Sequence, residues 1–169
     1  MDLLRHLAPV SDAYASLPVG EAFDWAVAGG DLGTGEWYMV AFRSIRRPDA
    51  DEARLSMYDE FAHQDAATAP GFVHYFKGPM GPDGSCLSFC LWQDRADARN
   101  AAGRPAHREA VGLLHEMYES YTLEFLRVRR IHDRAPLEFE PWDAAPPVHG
   151  RPAVDGGLLP EFQPGALPS

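Results

Sequence analysis

Two cysteines, no long apolar run and a shortage of basic residues are the first marks of this 169-residue chain, whose formal net charge is -10. Each shortage closes off a class. Cys86 and Cys90, placed on one strand, stand roughly 13 Å apart at about 3.3 Å per residue, too far to bond to each other. Two free thiols suit a reducing cytoplasm. No stretch reaches the length of a membrane span, and no apolar run follows Met1-Asp2-Leu3-Leu4-Arg5-His6, so neither a membrane segment nor a secretory leader is expected. Nucleic acid is not an expected partner, because phosphate binding needs clustered Lys and Arg. The short cluster Arg127, Arg129, Arg130 and His132 suits a strand ending in solvent.

Several catalytic signatures are missing too. The seven histidines have no tight ligand spacing, so no zinc site is expected. His115-Glu116-Met117-Tyr118-Glu119 lacks the second His of a zinc-protease helix. There is no Gly-x-Ser-x-Gly elbow, and neither Cys has a His beside it. Gly29-Gly30-Asp31-Leu32-Gly33-Thr34-Gly35 follows no strand and precedes no Lys-Ser/Thr, which makes it a turn, not a phosphate loop.

What is present divides into three regions: a lead-in over 1–36, a domain over 37–132, and an extended tail over 133–169 with eight of the fifteen prolines. In the lead-in, Leu3, Leu4 and Leu7 form a short apolar stripe, and Phe23 and Trp25 are candidate anchors on the core. In the tail, Phe139, Trp142 and Phe162 are candidate docking side chains, with disorder the competing expectation for the last dozen residues.

The middle region carries the fold. Trp37 to Ile45 is rich in strand formers. Asp51 to about Thr68 sets Leu55, Tyr58, Phe61 and Ala62 at helical spacing. Phe72–Lys77 and Ser85–Gln93 are strands joined by the turn-rich Gly78–Gly84. A second helical region starts near Arg95, breaks at Gly103-Arg104-Pro105, and resumes with an inner face of His107, Ala110, Val111, Leu114, Met117, Tyr118 and Tyr121. Thr122–Arg130 is the fourth strand. The class is therefore α+β, a β-α-β-β-α-β unit with a four-stranded antiparallel sheet. On the third strand Leu87, Phe89 and Leu91 alternate with Cys86, Ser88, Cys90 and Trp92, so both faces need dry cover. Helices cover one; a second copy of the chain is the expected cover of the other, making a homodimer, with lead-in and tail as the alternative.

This order, with Leu91-Trp92-Gln93-Asp94-Arg95-Ala96-Asp97-Ala98 and Pro105-Ala106-His107, resembles the dimeric α/β-barrel superfamily, and within it the antibiotic-biosynthesis-monooxygenase-like proteins. The resemblance spans about Glu36 to His132. It implies a ferredoxin-like fold and a pocket, and the superfamily spans cofactor-free oxygenases, haem-binding and haem-degrading members, and members without known activity.

Against that background His107 is the leading general base, because it shares the inner stripe of its helix and small shifts move its charge across neutral pH. His74 is the second candidate base, expected to share a sheet face with Phe72 and Phe76. Arg43, Trp92, Tyr118, Tyr121, Phe42 and Phe61 are the candidate pocket residues, with Arg43 needing a carboxylate partner if it points inward. The resulting expectation is a small-molecule protein resembling cofactor-independent monooxygenases, acting on an apolar or aromatic substrate without a cofactor. One alternative is a non-catalytic dimer that binds a partner through its aromatic tail. Another is a haem protein with His107 as axial ligand. Haem-degrading members pair that His with an Asn on the first strand and a Trp earlier on the His helix; here the strand reads Phe42-Arg43-Ser44, and about ten residues before His107 stand Asp97 and Ala98.

Overall fold

The computed structural model describes residues 4, 6–28, 32–143 and, by backbone alone, 148–150. A 3-10 turn at Tyr14–Ser16 precedes the short helices α1 (Val19–Ala22) and α2 (Trp25–Ala28). Then come β1 (Gly35–Arg46), α3 (Glu52–Ala67), β2 (Phe72–Phe76), β3 (Ser85–Trp92), α4 (Arg95–Ala102), α5 (Pro105–Gly112), α6 (Leu114–Met117) and β4 (Tyr118–Arg130), followed by β5 (Glu138–Pro141) and β6 (Val148–Gly150). The strands run in the order β2-β3-β1-β4-β5, with β6 also on β4, and every pairing is antiparallel. The first four strands and their helices make the ferredoxin-like α+β unit. The sheet is wider than the four strands expected, because two extended segments of the proline-rich region pair with the outer edge of β4 and satisfy its open backbone groups.

Local chemistry sets the boundaries. Asp51 caps α3 by accepting the Arg54 amide at 2.9 Å, and Asp94 caps α4 by accepting the Asp97 amide at 2.9 Å. Pro105 opens α5, where its missing N–H costs nothing. Gly71 turns into β2 with φ of 71° while the Asp97 carboxylate sits 1.8 Å from where a Cβ would be, so no other residue fits there. The second helical region ends sooner than its sequence pattern suggests. A turn at Leu113 interrupts it, and Tyr118 and Tyr121 lie on β4 opposite Arg46 and Ser44 instead of closing the helix.

The two sheet faces are covered differently. On one, Met39, Ala41, Leu87, Phe89 and Leu91 are buried together with Leu4, Leu7, Tyr14, Val19, Phe23 and Trp25. The cover expected from a second subunit therefore comes, on this face, from the lead-in of the same chain. Phe23 is its hub, with ring centroids 5.5 Å from Tyr14, 5.6 Å from Trp25, 5.0 Å from Phe76 and 5.7 Å from Phe89. The Tyr14 hydroxyl donates to the Pro79 carbonyl at 2.6 Å and accepts the Leu87 amide at 3.3 Å, tying the lead-in to the turn between β2 and β3. Phe139 of β5 meets Trp25 at 4.9 Å and lies against Gly20, while Trp142 packs edge-on against Tyr38 at 5.0 Å. Both tail aromatics thus dock on the chain's own sheet. Phe162 and the final dozen residues lie outside the described residues, as do Leu3, Gly29, Gly30 and Asp31. No described helix is long and apolar enough to cross a membrane.

The lead-in face is packed flush, so truncating its hub leaves a hole. Phe23→Ala is expected to cost about 3–5 kcal/mol, measured as a shift of the urea midpoint at unchanged slope. A loss below about 1 kcal/mol would contradict tight packing at this site.

A candidate active site between helices and sheet

The other sheet face presents Tyr38, Val40, Phe42, Ser44, Cys86, Ser88, Cys90, Trp92, Leu123 and Phe125 toward the helices, and a cavity of about 570 Å³ separates the two layers. Neither α3 nor α5 has a single buried residue. On α3 the side chains turned to this space are Leu55, Tyr58, Asp59, Ala62, His63 and Ala66; on α5 they are His107, Ala110 and Val111. Helices that packed directly on a sheet would bury such a stripe.

Polar struts hold the helical layer in place. Arg104 Nη1 bonds the Asp65 carboxylate at 2.6 Å and Thr68 Oγ1 at 2.8 Å, joining the α5 cap to the end of α3. Arg54 and Glu116 pair at 2.6 Å between the start of α3 and α6. Asp59 reaches β2, accepting from the Tyr75 hydroxyl at 2.5 Å and pairing with Lys77 just beyond the strand at 2.8 Å. These contacts fix α3 at its margins and leave the middle of the layer open.

Four of the expected pocket residues line the cavity. Trp92 closes one wall, and Phe42 packs its ring 5.3 Å from Tyr118 and 5.7 Å from Tyr121. Burial pushes the Tyr118 hydroxyl up to about 12, so it is a neutral hydrogen-bonding group at neutral pH. His107 also lines the cavity. Burial pulls its pKa below the ordinary 6.5, against the opposing pull of the Ala102 carbonyl and Asp65, and its Nδ1 makes no well-formed hydrogen bond among the described residues. The imidazole is therefore neutral at pH 7 and able to accept a proton.

Three expected residues lie elsewhere. His74 is buried on the lead-in face, 6.1 Å from the Phe89 ring. The pairing of β2 with β3 shifts between Phe72 and His74, which breaks the simple alternation. Phe72 meets Trp92 and His63, whereas Phe76 joins the lead-in cluster. Arg43 also faces the lead-in. Its Nε pairs with Glu124 at 2.8 Å, and its Nη1 donates to the Ala15 carbonyl. Phe61 is half exposed on the outer side of α3, roughly 120° around the helix from the centre of the cavity stripe at about 100° per residue.

Asp59, His63, Tyr75 and Cys90 are among the cavity residues that sequence patterning misses. Asp59 looks like a solvated acid until Tyr75 and Lys77 converge on it. The His63 ring lies tilted against Tyr75, with centroids 4.9 Å apart. Its position one turn after Asp59 is the signal that was there to read. Cys90 is pushed up to about 12, by burial first and Asp59 second, so it remains a thiol. Among the described residues no three His, Cys, Asp or Glu side chains gather as a metal site. For haem degradation the residues do not fit. His107 and His63 supply imidazoles, but Phe42 and Ser44 face the cavity from the first strand where those members place Asn.

The chain is similar to SnoaB from Streptomyces nogalater, described as a cofactor-independent oxygenase, at 19% identity and a TM-score of 0.42 over 54% of this chain and 89% of that one. PA3566 from Pseudomonas aeruginosa is similar at 11% identity and a TM-score of 0.49, covering 58% and 97% of the two chains. Rv0793 from Mycobacterium tuberculosis gives 18% identity and 0.43, covering 65% and 99%. No curated protein matches the sequence. A family model does match, over residues 1–141, and it takes in the lead-in, the ferredoxin-like unit and β5 together: the chain belongs to the PB2B2.08-like family.

Proposed function

We propose that this chain binds an apolar or aromatic small molecule in the helix-side cavity and oxygenates it without a cofactor, with His107 as general base. The observation that carries the reading is the cavity of about 570 Å³ beside a neutral, half-buried imidazole. That volume falls within the range of about 300–1,000 Å³ typical of small-molecule sites. The walls suit a flat apolar guest: Trp92, Phe42, Tyr118, Tyr121 and Phe125 surround it. A guest in this space would bury the α3 stripe that the sheet does not.

An oxygenase without a cofactor takes all four electrons that reduce dioxygen from its substrate. An activated methylene fits: R₂CH₂ + O₂ → R₂C=O + H₂O, in which two C–H bonds break, one oxygen forms the carbonyl and the other leaves as water. His107 would remove the first proton, and the carbanion so formed would reduce dioxygen. Trp92 and the ring cluster would hold the guest flat, and the dry walls would limit premature protonation.

Anthrone, whose methylene is activated by two rings and a carbonyl, tests the reading. Oxygen uptake above the autoxidation rate is expected with no flavin or metal added. His107→Ala should lower the enzymatic rate by about 10²–10⁴-fold. Equal uptake by the two proteins would remove His107 from the role, and none from either would remove the reaction.

The same imidazole gives a stability prediction. Its folded pKa lies below the ordinary 6.5, so below about pH 6.5 the unfolded chain binds more protons at this position. The contribution is present above that pH and is lost as pH falls through the lowered folded value. Urea midpoints should therefore decline on acidification below about pH 6.5, and His107→Gln should flatten that part of the profile. An identical acid limb in both proteins would contradict the assignment.

A further inference from the structure

Away from His107, the cavity has a second polar corner on the α3–β2 side, and its chemistry restricts what can bind. Tyr75 donates its one hydroxyl proton to Asp59 at 2.5 Å. The other carboxylate oxygen of Asp59 pairs with Lys77, the one lysine in the chain, at 2.8 Å. His63 lies tilted against the Tyr75 ring with centroids 4.9 Å apart, and Cys90 lies close by as a neutral thiol. Tyr75, Asp59, His63, Lys77 and Cys90 all line the same cavity.

What this corner offers a guest follows from donors and acceptors. The phenol proton is committed to Asp59, so Tyr75 has only lone pairs left to give. Asp59 is an acceptor as well. Lys77 is about half exposed, and its charge is already directed at Asp59. The Tyr75–Asp59 pair therefore presents acceptors to the interior, and Lys77 neutralises their charge at the rim. At this pair a carboxylate or bare carbonyl on the guest would meet lone pairs with lone pairs. An O–H or N–H would complete the set.

We infer that the Tyr75–Asp59 pair is a specificity site that selects aromatic guests bearing a hydrogen-bond donor, a phenolic hydroxyl above all, over their ethers. The inference rests on the cavity being a small-molecule site and adds the class of molecule. Rings on the guest would lie among the aromatic walls, and its hydroxyl would donate to Tyr75 Oη, whose own proton is held by Asp59. Losing that donor leaves a partly buried lone pair on Tyr75 Oη unmatched, and an acceptor placed for a hydroxyl discriminates more sharply than an apolar wall does.

Calorimetric titration with 2-naphthol and 2-methoxynaphthalene tests this on the full chain. The two share a ring system and differ in the donor. Wild type should bind 2-naphthol about tenfold or more tighter than the ether. Tyr75→Phe should reduce that preference to about twofold or less, with affinity for the ether unchanged, and Asp59→Asn should also weaken it. Equal wild-type affinities, or a preference that survives both substitutions, would overturn the specificity site while leaving the cavity reading intact. Failure of wild type to bind either compound would overturn the cavity reading and this inference with it. Retention of ether binding by Tyr75→Phe shows that the variant is folded, so a lost preference is not a lost protein.

Discussion

Everything in this molecule depends on how one four-stranded core keeps two dry faces dry. A β3 strand reading Leu87, Phe89, Leu91 on one side and Cys86, Ser88, Cys90, Trp92 on the other leaves no face suited to water. On the first side the lead-in meets the sheet in direct contact, with Phe23 and Trp25 wedged over Phe89. On the second side the helices stand back. The first cover gives the fold a well-packed base, and the second gives it an interior space.

The standing-off is a matter of where the polar contacts fall. Arg104 with Asp65, Arg54 with Glu116, and Asp59 with Tyr75 and Lys77 all lie around the margin of the α3–α5 layer. Each fixes a helix against a neighbour without drawing its apolar stripe down onto the sheet. Partly exposed pairs of this kind contribute little individually to stability, about 0–1 kcal/mol each, but several together define a spacing. Asp59 has a double part in this arrangement. It braces α3 against β2, and it gives the cavity a polar corner opposite the apolar walls. His107, at the start of α5, adds a neutral imidazole in a position to take a proton inside the layer.

Much of this was legible in the residues. Strand formers from Trp37 and from Phe72, and the Gly78–Gly84 turn, lead directly to β1, β2 and β3. The stripe of His107, Ala110 and Val111 places the imidazole inward. Phe23 and Trp25 look like anchors and are anchors. Where reading failed, the cause is specific. Phe61 shares a rough helical spacing with Tyr58, but only three-dimensional phase separates it from the stripe. His74 depends on a register shift that single-strand alternation does not reveal. Tyr118 and Tyr121 fit the helical stripe equally well, and cross-strand pairing with β1 decided their place. Arg43 needs Glu124, a partner 81 residues away in sequence. Long-range pairing likewise made Asp59 and Tyr75 a site.

In the empty protein an apolar space persists between the α3–α5 layer and the sheet. Crystals of the protein pressurised with xenon test it most directly, because xenon enters dry apolar cavities and scatters strongly. Xenon density bounded by Phe42, Ala62, Val111 and Leu123 is the predicted result. Helices α3 and α5 lying directly on the sheet, with no xenon between the layers, would contradict it.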